Sequence, residues 1–187
     1  MKSSKGILIM GMLVTTFIFS CKEEENDTTN FLLNSTVERG AEVPSNWFSS
    51  DGGQAYEVGL SVEEAYSPRK SLKISSQNKI EDDFALWGQS IRSDIPVGRN
   101  LILKARIKGN LSGQGVSIAI RTNRGVDRLQ FVTTQGDTTI SGEFDWTEYS
   151  VSLDDISSET DNLLVYLIYL PETSGEVYFD DITLTVD

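Results

Sequence analysis

Histidine is absent from this 187-residue chain, and cysteine occurs once, at Cys21. The first absence removes the commonest general base and the commonest zinc ligand, and with them the usual Ser–His–Asp triad. The second excludes a disulfide framework or a thiolate metal cluster within the chain. Basic residues are a minority, 16 Lys and Arg against 28 Asp and Glu, for a formal charge of -12. Phosphate binding needs a basic patch, so nucleic acid is not an expected partner. No Gly-x-Ser-x-Gly elbow occurs. "GNLSGQG" lacks the lysine and the strand-to-helix context of a phosphate loop. The paired carboxylates of "IEDDF" and "SLDDISSE" could in principle serve a glycosidase, but adjacent acids in loops are more often solvated turns. The chain is not expected to be an enzyme.

What is present begins with Lys2 and Lys5 and the apolar run "ILIMGMLVTTFIF", followed by Ser20 and Cys21. This is the pattern of a secretory signal peptide, too short and too soon followed by acids for a comfortable transmembrane helix. Ile18-Phe19-Ser20-Cys21 resembles a bacterial lipobox, although Phe19 is larger than usual at its position. The resemblance implies a signal peptide over 1–20 and acylation of Cys21, with several acyl chains giving stable anchoring to a lipid bilayer. Residues 21–30 read as an acidic tether. A lysine followed by acids just after the cysteine also resembles the export signal of surface lipoproteins in some Gram-negative bacteria. The implied location is the outer membrane, lipid-anchored, at the cell surface. Loss of Lys2 and Lys5 on cleavage leaves 14 basic against 28 acidic residues, or -14.

From about Asn30 the composition is uniform and helical periodicity is almost absent. "NLILKARIK" sets Leu101, Leu103, Ala105 and Ile107 against Lys104, Arg106 and Lys108. "VSIAIR" and "EYSVSL" alternate in the same way, as half-buried strands do. Further strands are predicted over 55–60, 71–75, 84–91, 128–133, 163–170 and 176–186. Turn-forming segments such as "SPRK", "PVGRN", "GNLSGQG" and "PETSG" separate them. Many short strands without crossover helices predict an all-β fold, an antiparallel sandwich or barrel, over 31–187.

The order of segments resembles a known group. "FLLNSTVERGAEVPSNWF", "SPRKSLKISS", "ALWGQSI", "LILKARIKG", "FDWTEYSVSL" and "GEVYFDDITL" follow one another as in the galactose-binding-like jelly roll. The branch is that of carbohydrate-binding modules of families four, nine and twenty-two. The resemblance implies an antiparallel β-sandwich that binds glycan or polysaccharide without catalysis. The other expectation is an accessory subunit docked on other outer-membrane proteins. In the family a calcium ion often ties the N-terminal segment to the last strand, which implies Glu38 and Asp180 as ligands. Asp180 shares parity with Ile182, Leu184 and Val186, so an inward face would bury it. A buried carboxylate needs a metal or hydrogen-bond donors, and oxygen ligands suit calcium. Backbone amides or an arginine would serve Asp180 equally.

A sugar site of this class pairs an aromatic face with planar polar side chains. In similar modules the corresponding strands line a concave face, which implies Trp87, Gln89, Arg121 and Tyr166 as ligand contacts. Trp87 and Gln89 are two apart and share a strand face, while Tyr166 has opposite parity to Val165, Leu167 and Tyr169. A large ring on a strand is also ordinary sandwich filling, and Arg121 could equally be a solvated residue. Trp47 and Trp146 read as parts of the fold.

Overall fold

The computed structural model describes residues 29–187. The signal segment, Cys21 and most of the acidic tether lie outside the described residues. Nine strands and no helix form the described chain: β1 Phe48–Ser50, β2 Glu57–Ser61, β3 Ser71–Ser76, β4 Ala85–Ile91, β5 Leu101–Arg124, β6 Asp127–Thr133, β7 Ile140–Leu153, β8 Asn162–Tyr169 and β9 Ser174–Val186. All pairings are antiparallel.

The long β5 belongs to two layers. Its first half, Leu101 to Ser112, lies between β9 and β7, giving the order β2-β3-β9-β5-β7. Its second half, from Val116, lies between β8 and β6, giving β1-β4-β8-β5-β6. "GNLSGQG", expected as a turn, is instead the place where β5 passes from one layer to the other. Gly113 and Gly115 there have φ of 109° and 83°. A Cβ at either would run into the backbone of Glu172 or Ile140. Glycine supplies both the left-handed backbone and the close approach.

The two layers close on one apolar core. Leu103, Ile107, Ile118, Ile120, Val165, Leu167, Val177 and Phe179 are all fully buried within it. Alternation along each strand accounts for this, since every second side chain turns to the same layer. Trp87 is the largest side chain inside, 1% exposed, and its Nε1 donates to the Lys73 carbonyl of the opposite layer at 3.2 Å. The N-terminal segment is laced onto this frame. Phe31 N donates to Leu184 O at 2.9 Å, and Trp47 Nε1 donates to Asn34 O at 3.1 Å.

The last strand departs from simple alternation. Asp181 has φ of 46°, and β9 spends one extra residue between its pairings with Arg106 and Lys104. This is a β-bulge, and it reverses parity. Asp180 pairs with Arg106, whose neighbours Ala105 and Ile107 point inward. Asp180 therefore faces away from the core with Tyr178, while Ile182 and Leu184 face into it. The inward orientation expected from shared parity is corrected by this bulge. Asp180 is still fully buried, because the loop between β2 and β3 lies over it.

Candidate functional site

The residues implied as ligand contacts fall into two pairs. Trp87 and Gln89 point into the sandwich. Trp87 is core, and Gln89, 2% exposed, clamps the N-terminal segment. Its Oε1 accepts from Leu33 N at 2.8 Å and its Nε2 donates to Leu33 O at 2.9 Å. Both hydrogen-bonding groups of the amide are engaged by one backbone unit, so neither side chain is offered to solvent. The reading of these two as ligand contacts is corrected on those grounds.

Arg121 and Tyr166 lie on the outer face of the first layer. Tyr166 is flanked across the sheet by Gly88 and Ala119, residues with little or no side chain. Arg121 pairs with Leu164 and Phe131, one row away on the same face. It is thus the diagonal neighbour of Tyr166, within reach of a long side chain. Phe48 pairs with Gly88 and lies over it; a Cβ on Gly88 would stand 2.5 Å from the ring. The Phe48 and Tyr166 rings meet edge to face at 6.4 Å and 82°. Phe48 and Phe131 are 41% and 42% exposed, which is unusual for such large apolar rings.

Polar groups are interleaved with these rings. Arg121 Nε donates to Asn123 Oδ1 at 2.7 Å, which fixes the guanidinium plane. Its terminal nitrogens make no hydrogen bond among the described residues and remain available as a fork. Ser90 Oγ donates to Asn162 Oδ1 at 2.7 Å. Arg128 sits over the Phe131 ring, 5.8 Å from its centroid. The face thus carries aromatic surface beside pre-oriented planar donors. That combination packs on an apolar ring face and fixes hydroxyls. Phe48 and Phe131 were not foreseen. The signal for Phe48 was its position beside an inward Trp47, since alternation sends the two rings to opposite sides.

The carboxylates implied as calcium ligands are both held by donors of the Tyr66–Lys70 loop. Asp180 Oδ2 accepts from Tyr66 N at 2.8 Å and Ser67 N at 2.7 Å. Its Oδ1 accepts from Ser67 Oγ and Asp181 N, both at 2.7 Å. Burial pushes this carboxyl above the ordinary aspartate range, and the hydrogen bonds from Ser67, Asp181 and Tyr66 offset part of the rise. Glu38 Oε1 accepts from Arg69 N and Lys70 N at 2.8 and 3.1 Å. The carbonyls that could have completed a calcium shell hold an ammonium instead. Lys70 Nζ donates to Gly40 O at 2.6 Å and to Glu38 O at 3.4 Å. Among the described residues no group of three or more His, Cys, Asp or Glu gathers. These donors clamp the Tyr66–Lys70 loop, while the buried Glu38 Oε2 makes no hydrogen bond and lies 3.6 Å from Arg69 Nε.

No family model matches the chain, and no curated protein matches its sequence. Solved structures do match its fold. The enzymatically active domain of the bacteriophage CBA120 tailspike protein 4 aligns with a TM-score of 0.64 at 15% identity, over 84% of this chain but only 21% of its own. The TmCBM61 module, solved with β-1,4-galactotriose, aligns with a TM-score of 0.56 at 16% identity, over 86% of this chain and 100% of its own. A cyclase from Fischerella sp. TAU aligns with a TM-score of 0.63 at 17% identity, over 82% and 94%. Modules of carbohydrate-binding families 22 and 16 are among the other matches. At such identities the likeness concerns architecture. The described chain has the antiparallel jelly-roll β-sandwich fold of carbohydrate-binding modules.

Proposed function

We propose that this chain is a non-catalytic surface lipoprotein whose sandwich binds glycan or polysaccharide through the outer face of its first layer. The observation that carries this reading is the row Phe48–Gly88–Tyr166–Ala119 beside Arg121 and Phe131. It offers exposed rings and a guanidinium with unbonded terminal nitrogens, on a fold shared with sugar-binding modules. Enzymes share this fold too, so the non-catalytic part rests on the sequence, which supplies no histidine and no nucleophile elbow. Anchoring at the outer membrane through acylated Cys21 rests on the lipobox-like segment. A docking subunit for other outer-membrane proteins would suit an apolar face without aromatics, and the three rings here favour sugar.

The test is a glycan array followed by isothermal titration against xylan, β-glucans and host-type glycans. Binding of at least one polysaccharide by the folded chain is expected, with an affinity that does not depend on calcium. A folded chain that binds none of them would contradict the reading. Mass spectrometry of membrane-extracted protein checks the anchor, and an unmodified Cys21 would remove it.

A further inference from the structure

We infer that the outer face of the second layer is a second glycan-contact surface, a groove suited to a neutral sugar chain. The inference rests on the glycan-binding reading of this module but on a different face. Two cavities, of about 940 and 480 Å3, lie side by side there and share Asn110 and Glu176 in their walls. Together they cross β2, β3, β9, β5 and β7. At about 4.8 Å between strands, five strands span roughly 19 Å.

The walls are planar and polar, and the fold does not use them up. The side-chain amides of Gln54, Gln77 and Asn110 make no hydrogen bond among the described residues. All three are exposed, Asn110 on β5 between Glu143 and Glu176 and the two glutamines on adjoining loops, so these groups are free for a ligand. The lysines of the groove are already engaged. Lys73 Nζ lies 3.0 Å from Glu176, and Lys108 Nζ lies 2.7 Å from Glu64. Glu57, Glu143 and Asp145 add further negative charge along the walls. A uronate or sulfated chain would be repelled, whereas neutral hydroxyls find acceptors and amide donors.

An aromatic pair stands beside the second cavity, next in sequence to its wall residues Glu64 and Asp145 but outside the lining itself. Trp146 follows Asp145 on β7, and Tyr66 stands two residues beyond Glu64. Their rings lie 5.9 Å apart, tilted by 58°. Arg106 stacks on Tyr66 at 4.9 Å and holds it in place. Tyr66 nevertheless remains 49% exposed, and Trp146 is half-buried. Trp146, read from the sequence as part of the fold, thus has ring surface turned to solvent beside a polar trough. This repeats, on the opposite face, the pairing of ring and planar donors that suits a pyranose.

Isothermal titration of the full chain in detergent micelles with xylohexaose, cellohexaose and β-1,4-galactotriose reads stoichiometry as well as affinity. For a probe that binds, two ligands per chain are expected. Tyr166→Ala should reduce this to one, and Trp146→Ala should do the same. Asn110→Ala, at an exposed position that cannot disturb the core, should weaken the second site at least threefold. The inference is overturned if Tyr166→Ala removes all binding while Trp146→Ala and Asn110→Ala change neither stoichiometry nor affinity; the first face then stands alone. If only Trp146→Ala and Asn110→Ala abolish binding, the groove stands and the first face falls. A folded chain that binds none of the three probes counts against both.

Discussion

Asp180→Ala is expected to destabilise the domain by about 3 kcal/mol or more, because it orphans several buried donors at once. At about 2–4 °C per kcal/mol for a domain of this size, the melting temperature should fall by roughly 6–12 °C. The amides of Tyr66, Ser67 and Asp181 and the Ser67 hydroxyl all donate to this one carboxylate. Asparagine should be nearly as harmful. Its NH2 would have to face either the Tyr66 and Ser67 amides or the Asp181 amide, and an amide donor cannot accept. Ser67→Ala removes one partner only and should cost less. Calcium and chelator should leave both the wild-type and the variant transitions unmoved. Thermal unfolding with about 5 mM Ca2+, several-fold above the ~0.1–1 mM dissociation constants of weak extracellular sites, and with excess EDTA checks this. A calcium-dependent rise that Asp180→Ala abolishes would restore the metal reading.

Trp87→Ala is the second large effect, with an expected loss of about 3–5 kcal/mol from cavity formation. Trp87 fills the space between the layers and satisfies the Lys73 carbonyl, so the substitution removes volume and a hydrogen bond together. Trp87→Phe should keep most of the volume and lose less, leaving the carbonyl without its indole partner. Chemical denaturation reads both values. Near-native stability of Trp87→Ala would place this ring at the surface and reopen its role as a sugar platform.

The sequence carried the fold more fully than the site. Alternation in "NLILKARIK", "VSIAIR" and "EYSVSL" marks strands because one face is buried and the other solvated, and that signal is local. "GNLSGQG" misleads because glycine permits a turn and a layer crossing equally, and only the partner strands decide between them. Parity misleads at Asp180 because the bulge at Asp181 inserts one residue and reverses every orientation beyond it. "ALWGQSI" is ambiguous because both of its faces mix apolar and polar residues. Gln89 is buried by a partner, Leu33, that lies 56 residues away. Tyr166 and Arg121 were legible from parity, since β5 and β8 pair without interruption from Val116 to Asn123. Phe48 belongs to the face only because Gly88, on another strand, leaves room for its ring.

Sugar binding is proposed for the outer face of the first layer. Its most direct measurement is titration of the glycan that binds best on the array into wild-type, Tyr166→Ala and Arg121→Ala protein of verified stability. Removal of a central ring, or of a guanidinium whose terminal nitrogens face the ligand, should cost about 2 kcal/mol, roughly a thirtyfold weakening at that site. Both variants should melt close to wild type, because neither side chain belongs to the core. Unchanged affinity and stoichiometry in both variants, with binding intact in the wild type, would place the sugar elsewhere than on this face.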